Sequence, residues 1–215
     1  MTTEGALLTL MQWLSPAYPV GGFSYSHGLE WAVEAGDVTD PESFGLWLRD
    51  VLADGGGRND AILLAESWRA PDAARLRAID DLARALAPSR ERALETEQQG
   101  AAFARTTAAI WPAALPDLSY PVAVGAAARA MALPLRETLL FYLQGFAGNL
   151  TSAAIRLVPL GQTEGQGALA ALAPLCADLA RRAETQSLDD LGGCAFLADI
   201  ASMKHETQYA RLFRS

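Results

Sequence analysis

From Thr138 to Ile155 the chain carries no charged side chain, and Glu137 and Arg156 close the stretch on either side. An uncharged run of that length has two physical homes: a lipid bilayer, or the middle of a helical protein where every face of a helix is covered. Gln144, Asn149, Thr151 and Ser152 interrupt it, and charges sit tight against both ends, which favours the protein interior. The expectation is a helix over 134–158, opened by Pro134 and buried at the centre of the fold. Leu139, Leu143, Phe146 and Leu150 follow steps of four, three and four residues, so they share one face.

Other helices are spaced around this one. Leu7, Leu8, Leu10, Met11 and Leu14 form an apolar stripe that ends at Ser15-Pro16, since a residue before proline is pushed out of the α region. A helix from Leu29 ends at the C-cap glycine Gly36. Asp40-Pro41 opens the next with proline in its first turn, and the run stops at Asp54-Gly55-Gly56-Gly57. Further helices are expected over about 58–69, 72–86, 89–110, 121–131, 162–184 and 188–203, bounded by proline and glycine. The 121–131 segment is rich in Ala and Gly and suits close helix–helix contact. No segment alternates with period two in β-branched residues, so no sheet is expected. The fold class is therefore all-α: a single-domain helical bundle of about eight to ten helices over 1–203, followed by a tail over 204–215.

The chemistry that can be excluded is broad. A formal net charge of -8 argues against nucleic acid, which needs clustered Lys and Arg. No basic start followed by an apolar stretch marks a signal peptide, and two cysteines make no disulfide framework, so a cytoplasmic chain is expected. Ser26-His27 lacks the Gly-x-Ser-x-Gly setting of a nucleophile, and the serines there read as caps of the following helix. His205-Glu206-Thr207-Gln208-Tyr209 begins like a zinc-protease motif, but Tyr209 stands where the second histidine belongs. Gly161–Gly167 lacks the Lys-Ser/Thr ending of a phosphate loop. Cys176 and Cys194 each sit among apolar neighbours and read as small buried hydrophobes. No tightly bound cofactor or metal is expected, and catalysis stays open only as a small helical enzyme whose polar groups converge in three dimensions.

Three segments carry a resemblance. They are Leu14-Ser15-Pro16 with Pro19-Val20-Gly21-Gly22-Phe23-Ser24-Tyr25-Ser26-His27-Gly28-Leu29-Glu30; Ala153-Ala154-Ile155-Arg156-Leu157-Val158-Pro159-Leu160-Gly161-Gln162-Thr163; and Asp199 with Ser202-Met203-Lys204-His205-Glu206 and Tyr209-Ala210-Arg211-Leu212-Phe213-Arg214-Ser215. In this order they resemble the urease accessory protein UreF family. Glu95-Thr96-Glu97 departs from the Glu-Thr-Arg of that pattern, and residues 55–95 look generic. The resemblance implies a dimeric bridge, not an enzyme: it binds UreD (also called UreH) and the GTPase UreG and helps deliver nickel to apo-urease, with the nickel handled by the complex.

Residues expected to meet partners are Tyr18, Phe23 and Tyr25 as aromatic anchors, Arg156 and Gln162 at a corner facing the GTPase, and Lys204, His205, Tyr209, Arg211, Leu212, Phe213 and Arg214 in the tail. The tail is basic against an acidic body and carries exposed-looking apolar groups. It is expected to order on binding UreD.

Overall fold

A computed structural model describes residues 2–215. Its elements are α1 (Thr3–Trp13), α2 (Leu29–Glu34), α3 (Pro41–Ala53), α4 (Gly56–Arg69), α5 (Ala73–Ala85), α6 (Arg90–Ile110), α7 (Tyr120–Ala130), α8 (Leu135–Leu157), α9 (Gln162–Ala183) and α10 (Phe196–His205), with short 3-10 turns at Gly22–Ser24 and Leu188–Asp190. Among the described residues there is no strand.

The helix starts follow local chemistry. Asp40 caps α3 by accepting from the Ser43 N–H at 2.8 Å, while the Ser43 hydroxyl accepts from the Asp40 N–H at 3.1 Å. Asp72 and Ser89 cap α5 and α6 in the same sense. Gly36 ends α2 with φ +82°, a left-handed conformation that glycine adopts without strain.

α8 lies at the centre, packed against α1, α2, α3, α4, α7 and α9. Leu139, Leu143 and Leu150 are buried in the core. Phe146, on the same face, is half-buried because it borders a cavity. No described helix is long and apolar enough to cross a membrane. α4 and α7 approach closely: a Cβ on Gly125 would stand 2.3 Å from the Leu64 carbonyl oxygen.

Three expectations change. The helix expected over 188–203 begins only at Phe196, as α10, and runs past 203 to His205. Gly193 exchanges hydrogen bonds with the Asn59 amide at 3.1 and 2.8 Å, and Gly192 has φ +107°, so the backbone at Gly193 is held against α4 as a loop. The 203/204 boundary thus falls inside a helix. Cys176 is buried as expected, but Cys194 is exposed and donates its thiol to Asp199 at 3.2 Å. The tail does not stand away from the body: Phe213 is buried at 4% exposure and Ser215 at 0%. Its backbone has partners to satisfy, and the body supplies them: the Arg214 N–H donates to the Ser24 carbonyl at 2.8 Å, and the Ser26 N–H donates to the Ser215 carbonyl at 2.7 Å.

Candidate functional site

The 15–28 loop, the end of α8 and the tail converge on one region. Arg156 is the hinge of it. From the last turn of α8 its guanidinium donates to the Phe23 carbonyl at 2.7 Å and lies 4.2 Å from the Phe213 ring centroid. That is more than a cation beside a helix C-terminus, because it joins the loop to the tail. In the loop and tail that it joins, Phe23, Leu212 and Tyr209 are exposed, Tyr209 fully so.

Beneath the tail, Glu30 of α2 organises a buried network. One carboxylate oxygen accepts from the Leu212 N–H at 2.6 Å. The other accepts from the Phe213 N–H at 2.9 Å and faces His205 Nε2 at 3.1 Å. His205 Nδ1 lies 2.6 Å from Glu91, which also pairs with Arg211 at 2.7 Å.

A second network sits one turn further along α6. Glu95 pairs with Arg92, accepts from Gln99 at 3.1 Å and from the Ser215 hydroxyl at 2.7 Å, and lies 3.3 Å from His27 Nδ1. Burial alone would raise its carboxyl, but Arg92 and His27 outweigh burial and hold it well below the usual carboxylate range. His27 moves down, through burial first and then the Arg92 charge. Arg92, at 3.0 Å, and Glu95, at 3.3 Å, both face His27 Nδ1, so Nε2 is the ring nitrogen turned away from the pair. That Nε2 is buried with no partner. His27 has φ +57°, a strained conformation for a non-glycine residue.

Two cavities flank this centre, and His27, Asp60, Arg92 and Thr96 line both. The one beneath the 15–28 loop has a volume of about 70 Å³ and opens to solvent. Asp60, from α4, accepts from the Tyr142 hydroxyl at 2.7 Å, and burial pushes its carboxyl up to about 6.

The expected partner-binding residues divide. Phe23, Tyr209, Arg211, Leu212, Arg214, Lys204 and Gln162 are exposed, and Arg156 is largely so. Tyr18, Tyr25, His205 and Phe213 are buried. Tyr18 bonds Thr107 at 2.9 Å and packs on Phe103 and Trp111. Tyr25 donates to Gln98 at 2.7 Å. In this fold these two plug the interior, and Phe23 alone of the three aromatics faces out. Gln162 is the first residue of α9. Ser26 partly keeps its expected capping role, accepting from the Glu30 N–H at 3.4 Å, but its hydroxyl mainly donates to the Ser215 carbonyl. Glu97, where the family pattern has arginine, pairs with Arg84.

Sequence reading missed Asp60, Glu91, Arg92 and Glu95, all within or beside the stretch that looked generic. Asp60 gave no signal; Glu91, Arg92 and Glu95 show a three- and four-residue spacing on α6 that a solvated face shows equally well, and Glu95 also opens the Glu95-Thr96-Glu97 segment set beside the family pattern.

The comparisons bear on the whole chain. The family model described as UreF matches residues 38–173. A protein of Cereibacter sphaeroides named urease accessory protein UreF is 55% identical over 212 residues, covering 99% of this chain and 100% of its own. A protein of the same name from Ruegeria pomeroyi is 53% identical over 213 residues, covering 99% and 98%. Another from Methylobacterium is 52% identical over 220 residues, covering 97% and 88%.

Proposed function

The chain belongs to the UreF family of urease accessory proteins, and from that premise we propose that it bridges partner proteins during urease metallocentre assembly. Its partners in this reading are UreD (UreH), the GTPase UreG and apo-urease. It works as a homodimer in the cytoplasm, as a chaperone of nickel insertion, with nickel as cargo of the complex, and it modulates hydrolysis by UreG.

One observation carries the reading. The three segments that resemble the family meet at a single place, where Arg156 joins Phe23 to Phe213. Phe23 of the loop and Leu212, the neighbour of Phe213 in the tail, are exposed at that junction and give it an apolar rim of the kind that anchors protein interfaces. A catalytic reading has no comparable support. Among the described residues no Ser, Thr or Cys hydrogen-bonds a histidine, and no group of three or more His, Cys, Asp and Glu converges as metal ligands.

The test is co-purification of Leu212→Ala and Phe23→Ala with UreD. Both side chains are exposed, so the melting temperature should hold, while recovery of the complex should fall at least tenfold. Full recovery of both variants would remove the docking role from this rim. Arg156→Ala, assayed for nickel-dependent urease activation, reports on the neighbouring corner that the reading assigns to UreG.

A further inference from the structure

The cavity beneath the 15–28 loop has a composition that the bridging role does not use. The rings of Tyr18, Tyr25, Tyr120, Tyr142 and Phe146 line it, together with the Asp60 carboxylate. Tyr18, Tyr25 and Tyr142 have committed their hydroxyls to Thr107, Gln98 and Asp60. What they offer the cavity is therefore ring surface, whose faces carry negative charge density.

Asp60 is enclosed by protein yet keeps accessible surface, because it borders the cavity. No cationic side chain among the described residues comes within ion-pair distance of it. Arg92 is near enough to lower its carboxyl but is itself paired with Glu95. A carboxylate so placed has lost much of its hydration and has only one phenol in exchange, a costly arrangement unless a cation completes it. His27 does not supply that cation: its Nδ1 faces Glu95 and Arg92, not Asp60, and its unpartnered Nε2 is a further polar group at the same wall.

We propose that this cavity binds a primary ammonium group, held by the Asp60 carboxylate and the surrounding aromatic faces. Aromatic rings around a carboxylate are the chemistry that recognises alkylammonium. Two carboxylates, Asp60 and Glu95, against the Arg92 guanidinium leave the wall net acidic and disfavour an anion, and an uncharged apolar ligand leaves Asp60 unanswered. The ammonium has two sources, a free small amine or a lysine side chain of a partner entering beside the loop. The binding chemistry is the same for both and does not depend on the bridging role.

The experiment titrates the full chain with n-butylammonium and, separately, with 1-butanol, its uncharged counterpart, at constant ionic strength, following backbone amide shifts by NMR. Saturable millimolar binding of butylammonium is expected, at least tenfold weaker for butanol. Affinity should fall as pH drops below about 6, where Asp60 takes up a proton. Asp60→Asn keeps the shape and the acceptor for Tyr142 and should weaken butylammonium at least tenfold. Equal affinities for amine and alcohol, or wild-type affinity in the Asn variant, overturn the proposal. Should that variant misfold, the pH and alcohol comparisons on the wild-type chain decide alone. Carbodiimide cross-linking of the assembled accessory complex then separates the sources: a lysine adduct at Asp60 assigns the site to a partner's side chain, and amine binding without such an adduct assigns it to a free amine.

Discussion

The Glu95 carboxylate meets Arg92, Gln99, His27 and the Ser215 hydroxyl in a setting where burial by itself opposes charge. Glu95→Gln leaves Arg92 largely buried without its counter-charge and should cost about 3–5 kcal/mol, read by urea unfolding. Because the folded carboxyl lies below its ordinary value of 4.5, its contribution is complete above that pH and is lost as pH falls below it. Asp60 acts in the opposite sense. Its carboxyl rises from 3.8 to about 6, so folding favours the protonated form, and that advantage fades as pH climbs between the two values. Asp60→Asn should flatten the stability profile between these pH values and gain up to about 3 kcal/mol at pH 7 relative to wild type. A profile unchanged by the substitution would show that Asp60 titrates normally. Neither residue announces itself in the sequence, where an acidic residue on a helix is most often solvated.

Helices were far more legible than sites, because apolar spacing, proline and glycine act locally. The uncharged run became α8, and Leu143 is fully buried in it. Leu143→Ala should cost about 2–5 kcal/mol, with the helical circular dichroism otherwise retained. A loss near zero would mean that the centre of the bundle collapses around the missing atoms. The failure over 188–195 is instructive at this scale. Leu188 and Leu191 fit a helical stripe, yet Gly193 is held by Asn59, more than a hundred residues earlier in the chain. A glycine pair tolerates helix or loop, and a distant amide chose the loop.

For the molecule as a whole, the tail is part of the body's ion network. A tail that ordered only on binding a partner would leave the melting temperature nearly unchanged when residues 204–215 are deleted. The deletion removes buried His205, Phe213 and Ser215 and strips partners from Glu30, Glu91 and Glu95. Its melting temperature should therefore fall by several degrees, since about 1 kcal/mol shifts a domain of this size by roughly 2–4 °C. An unchanged melting temperature would mean that the tail packing contributes little. Loss of UreD binding by that truncation cannot be separated from destabilisation, so single changes at exposed Leu212 and Phe23 are the sharper probes of docking.

The sequence alone determined that this chain is helical, that α8 is its centre, and which three segments resemble the family, since hydrophobic period and helix breakers are local and the motif order is linear. Tertiary structure decided which members of those segments face solvent, and that Glu30 and Glu95 hold the tail. It also decided that Asp60, Arg92 and His27 stand between two cavities. Those outcomes depend on side chains brought together from α2, α4, α6, α8 and the tail, and burial, not residue type, sets whether a carboxylate is a solvated surface charge or the acceptor around which a region is built.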